Sequence, residues 1–182
     1  MPLPTSAPAP DGGPSLTNDP PQAGLTRQRD GFTGPLARGS TAPPPAIRFH
    51  SADEAAAALA LAPAGGVLLL SAPGAAAWPG AAVVAAMVAR AATAHPDASY
   101  LAALDCGSAP GLALDALRQG WRLLILDPSH PSFPALHAAA QEVGATLWRQ
   151  APEALDLARL DLRRPGGRAL LARHLGAGVP DP

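Results

Sequence analysis

The chain contains no lysine. All thirteen basic residues are arginine, which excludes a Schiff-base lysine, a lysine general base and the lysine that closes a phosphate-binding loop. Cysteine is almost absent as well: Cys106 stands alone, so no internal disulfide can form and nothing points to an oxidising compartment. Aromatic residues make up 4% of the chain, so any core has to be built from small aliphatic side chains and close backbone packing. Charge is scarce too, and a net charge of -1 supplies no field to draw nucleic acid or an acidic membrane surface. Neither is expected as a partner. The most apolar region, 55–70, is broken by Pro63, Gly65 and Gly66, so no membrane span is expected. The opening residues lack a basic start followed by an apolar stretch, which predicts no signal peptide and a cytoplasmic location.

What is abundant is alanine, proline and glycine, the mixture of a GC-rich bacterial coding sequence. The chain has 182 residues, 48% of them hydrophobic, enough for one domain with a sizeable core. Eleven of the 23 prolines fall within residues 1–45, among few large apolar residues. Such a segment cannot bury enough surface to offset the cost of ordering it. The expectation is a disordered proline-rich tail over 1–46, a single α/β domain over 47–176 and a frayed end at 177–182.

Within that domain the pattern centres on 99–132. Residues 100–104 and 123–126 are short, nearly continuous apolar runs, the mark of strands covered on both faces of a parallel sheet. Between them Ser108 is a candidate helix cap, Pro110 suits a first turn and Gly120 suits a left-handed end. Two further strands are expected at Val67–Leu70 and 145–148. Helices are expected after a capping box at Ser51 and Glu54, after Pro79 with an apolar stripe of Val83, Val84, Met87, Val88 and Ala91, and over Phe133, Leu136, Ala140 and Val143. Pro152 and Pro165 each suit the start of a short C-terminal helix. The fold class is therefore α/β: a small, open, mostly parallel sheet of about four strands with helices on both faces, a three-layer arrangement of Rossmann-like or flavodoxin-like type.

In such a sheet ligands bind beyond the carboxyl ends of the strands. Three loops reach that edge, 71–74, 105–111 and 127–132, and they carry the chain's one cluster of reactive residue types. Asp105, Asp127 and His130 are the candidate acid–base groups. Ser71, Gly107, Ser108, Gly111 and Ser129 are the candidates for holding a small ligand or anion, with helix-start amides in the second loop. Each also has a structural use. Serines before helices cap them, aspartates before turns bond local amides, and a small thiol beside a strand end is usually buried.

Sharper assignments fail on the residues present. No phosphate loop, dinucleotide glycine fingerprint or G-x-S-x-G elbow occurs, and one cysteine with scattered histidines gives no zinc-like spacing. No cofactor and no metal are expected. Two function classes remain: a non-catalytic module that binds a partner protein or acts as an accessory factor, and a small-molecule, anion-binding or hydrolytic site at the strand ends.

Overall fold

The computed structural model describes residues 44–176. The expected tail up to residue 43 and the expected frayed end at 177–182 lie outside the described residues. The chain runs β1 (Ala46–Arg48), α1 (Ala52–Ala60), β2 (Val67–Leu70), a tight irregular turn (Ala76–Gly80), α2 (Ala81–Ala94), β3 (Tyr100–Asp105), α3 (Pro110–Arg118), β4 (Leu123–Ile125), α4 (Phe133–Glu142), β5 (Thr146–Trp148), β6 (Leu155–Asp156), a short 3-10 turn (Leu157–Arg159) and α5 (Pro165–Leu175).

All six strands are parallel and lie in the order β5-β4-β3-β2-β1-β6. The four expected strands are present, and β1 and β6 flank them at one side. The Pro45 carbonyl already accepts from Leu68 N at 2.9 Å, so the sheet begins at the end of the proline run. Pro152 opens no helix. The chain there enters β6 instead, because Leu155 and Asp156 pair with Ile47 and Arg48, a partnership that no local pattern announces.

From β1 to β5 each strand is laid down beside its predecessor, always in the same direction. Right-handed crossovers then place successive helices on one face. The core agrees: Ile47, Leu69, Leu104, Leu124 and Leu147 form one cluster with buried side chains from all five helices. Alternate residues Leu68, Leu70, Ala103, Leu123 and Ile125 form a second cluster, met by Trp148 and by Ala151 and Ala154 of the 149–154 connection. Among the described residues, the contacts made with that face from outside the sheet come from this extended segment. Its path follows from the reversal of strand order, since 149–154 must return from β5 to a strand beyond β1.

Local signals set the helix ends. Ser51 accepts from Glu54 N at 3.2 Å and caps α1, while the Glu54 carboxylate accepts from His50 N at 2.7 Å rather than from the cap residue itself. Gly120 and Gly176 take positive φ, as a left-handed stop requires. The buried stripe of α2 is Ala81, Val84, Val88, Ala91 and Ala92. Val83, expected within that stripe, is 45% exposed, because it lies about 100° round the helix from Val84, away from the side that Val84 and Val88 bury.

The three tryptophans separate. Trp121 is fully buried, Trp148 is half-buried on β5, and Trp78 is 85% exposed. Among the described residues one helical stretch, Ala76–Ala94, is long and apolar enough to cross a membrane by length and composition, with a third of its apolar window buried inside the fold.

Candidate functional site

Parallel strands bring the three candidate loops to one edge, and there Asp105 is the hub. It ends β3 and is half-buried, and its Oδ1 accepts from Gly74 N at 3.0 Å and from Gly107 N at 2.8 Å. Both glycines have positive φ, and a Cβ added to Gly107 would lie 3.7 Å from Gly74 Cα. The two loops thus lie close at their glycines, and side chains there would strain the turns through the positive φ, although space alone would admit a Cβ. Ser71 is the only buried polar side chain among the described residues. Its Oγ accepts from Asp105 N at 2.9 Å and donates to Ala72 O at 3.2 Å. Asp127 N donates to Gly107 O at 2.8 Å, which ties the third loop to the second.

The other acid–base candidates are turned to their own loop. Asp127 is exposed, and its Oδ1 accepts from Ser129 N at 2.9 Å. The Ser129 amide, then its hydroxyl and, more weakly, His130 hold the Asp127 carboxyl below its usual range. His130 Nδ1 accepts from Ser132 N at 3.1 Å. Among the described residues no hydrogen bond or ion pair joins Asp105 to Asp127 or His130. Ser108 and Gly111 are exposed at the head of α3. Neither Ser108 nor Ser132 caps a helix through its side chain. Ala109 occupies the cap position of α3, and the Ser132 hydroxyl makes no cap bond.

Cys106 lies beneath this rim. Burial first, and the neighbouring Asp105 carboxylate second, push its thiol up to about 12, so it is protonated at neutral pH and is no nucleophile. We expect Cys106 in the folded protein to resist a disulfide-exchange reagent at pH 8 and to react at once in denaturant. Rapid labelling of the native protein would contradict this burial.

No protein-family model matches this chain, and no curated protein matches its sequence. Its chemistry therefore has to be read from its own side chains. Among the described residues no group of three or more His, Cys, Asp or Glu could hold a metal ion.

One polar pair at the same edge lay outside the candidate loops. Where strand order reverses, between β1 and β6, His50 Nε2 meets Asp156 Oδ1 at 2.8 Å, and Asp156 Oδ1 also accepts from Ala158 N at 3.1 Å. The pair could be found only by recognising both short strands. Burial works to raise the Asp156 pKa, but the hydrogen bonds from His50 and Ala158 and the charges of His50 and Arg48 outweigh it and hold the carboxyl below its usual value. Because the folded-state value is the lower one, the stability Asp156 adds is complete above the ordinary carboxylate value of about 3.9 and is lost as the pH falls through the folded value. Melting temperatures should therefore drop less between pH 5 and pH 3 for Asp156→Asn than for the parent. Parallel curves would show that the pair contributes nothing in that window.

Proposed function

We propose that the chain is a non-catalytic α/β module that acts by binding a protein partner, in the manner of an accessory factor. The observation that carries this reading is the use to which the rim's polar groups are put. Asp105 binds two loop amides, Asp127 and His130 each bind an amide two residues on, and Ser71 is enclosed between strands. A group engaged in holding its own turn is poorly placed to move a substrate proton. The exposed indole of Trp78 supports the same reading, since tryptophan is prominent among residues that anchor protein interfaces. A free, buried Cys106 is in keeping with the cytoplasmic setting that forms part of this proposal. The Rossmann-like character we propose is limited to parallel strands joined by helices, because strand order reverses only at β6.

Two measurements test the proposal. Proteins captured from the native cell should bind the purified chain saturably when reconstituted, and Trp78→Ala should weaken that binding. A panel of carboxyl and phosphate esters should show no turnover. Hydrolysis that Asp127→Asn or His130→Gln abolishes would overturn the reading in favour of a hydrolytic site at the strand ends.

A further inference from the structure

We infer that the carboxyl ends of β1 and β6 form a binding site for a small carboxylic acid, held by Arg48 beside the His50–Asp156 pair. This goes beyond the protein-binding role proposed above and does not rest on it. The starting point is a charge without a partner. Ile47 and Phe49 enter the helix-covered cluster, so Arg48 between them faces the other side of the sheet, as do its register partners Leu70 and Asp156. Arg48 is half-buried. Two enclosed side-chain donors lack a hydrogen-bond partner among the described residues, Arg48 Nε and Trp121 Nε1. Trp121 is neutral and shut in the core. Arg48 carries a full charge, and no ion pair among the described residues reaches it. An enclosed donor without an acceptor costs stability, and so does a half-buried charge without a contact partner. A cost of that kind is retained where the group is put to use.

Position and charge select the ligand. In open parallel sheets ligands bind at the carboxyl ends of the strands where strand order reverses, and this sheet reverses only between β1 and β6. Among the described residues β6 is the last strand on its side, so no further strand covers Asp156. The His50 and Asp156 side chains keep 33% and 23% of their surface in solvent, which leaves the corner open to a small solute. A guanidinium presents a planar fork that a carboxylate meets with two parallel hydrogen bonds. The carboxylates already at this corner are matched by other donors. Asp156 Oδ1 accepts from His50 Nε2 and Ala158 N, and Glu54 accepts from His50 N. Arg48 is left over, one positive charge for one negative charge. A phosphate dianion would set its second charge against Asp156, which lies within electrostatic reach of Arg48, so the site favours a monoanionic acid. Enclosure of Nε favours a free acid, which can enter, over a carboxylate carried on a folded surface.

Heteronuclear NMR of the arginine Nε–H groups in the isotope-labelled full chain, titrated with sodium acetate at constant ionic strength, tests this. The Arg48 signal, identified by its loss in Arg48→Met, should shift saturably with acetate in the millimolar range expected of so small a ligand. Inorganic phosphate should bind more weakly. Arg90→Met, which changes an arginine largely in solvent, should leave the shift of the Arg48 signal unaltered. In the absence of acid, Arg48→Met should melt at or above the temperature of the parent, because it removes an unpaired charge and keeps most of the stem. Acetate should then raise the melting temperature of the parent and not that of Arg48→Met. An Arg48 signal that does not move, or phosphate that binds more tightly than acetate, overturns the inference. So does an Arg48→Met chain that melts well below the parent, since Arg48 would then be a structural residue. Capture of a protein partner, which tests the proposed function, is read separately from all of these outcomes.

Discussion

Leu124→Ala should lower the free energy of unfolding by about 2–5 kcal/mol, the range for emptying a fully enclosed leucine site. Leu124 has no solvent exposure and sits in β4 between Leu104 of β3 and Leu147 of β5. All three point into the helix-covered cluster. Urea unfolding monitored by circular dichroism measures the change. A cost within about 0.5 kcal/mol, the range of ordinary surface positions, would mean that β4 is not the interior strand its register implies.

Asp105→Ala should have the second largest effect, and it bears directly on function. Removing the carboxylate strips the acceptor from the amides of Gly74 and Gly107 together. A buried donor left without a partner costs about 1–3 kcal/mol. Asp105 is only half-buried, so water can replace part of what is lost, and we expect a net loss of about 2 kcal/mol. Asp105→Asn keeps a carbonyl oxygen in the same place and should cost less than half as much. The comparison matters because a carboxylate held in place for a ligand gives the opposite result. Groups kept for activity tend to reduce stability, so their removal is neutral or stabilising. A rise in melting temperature for Asp105→Ala would move Asp105 from clamp to working residue and would count against the binding-module proposal.

These two positions also show how far the chain can be read without coordinates. Leu124 was legible because its neighbours form a short apolar run between turn residues, and such a run reports a buried strand wherever it falls. The strands at Val67–Leu70 and Tyr100–Asp105 were legible for the same reason, as was the Ser51 cap three residues before Glu54. Asp105 was legible as a residue of interest but not in its role, which depends on Gly74, 31 positions away. Strands β1 and β6 were missed because they have three and two residues. Segments so short become strands only by pairing, and their pairing with each other joins positions more than a hundred residues apart. The His50–Asp156 contact was hidden with them.

Strand order accounts for the rest. A sheet that advances one way keeps neighbouring loops together on the same side, so the Asp105 carboxylate ties loop 71–74 to loop 105–111, and a backbone bond from Asp127 N to Gly107 O ties loop 127–132 to loop 105–111. Residue types at the edge announced a possible site, and the folded loops engage Asp105, Asp127 and His130 with backbone amides. A single layer of helices leaves each one an outward side, so α2 keeps Val83 and Ala86 uncovered, although its composition alone would have placed it inside.

Taken alone, the amino-acid order determined the α/β class, four of the strands and the boundaries of most helices. Each of these depends on side-chain period and turn chemistry within a few residues. Only the tertiary structure decided which strands stand at the side of the sheet, which face the helices cover, what the rim carboxylates bind and which tryptophan faces solvent. Those outcomes come from pairing and packing between distant segments, whose energies depend on where the chain returns and leave no periodic trace in the residues themselves.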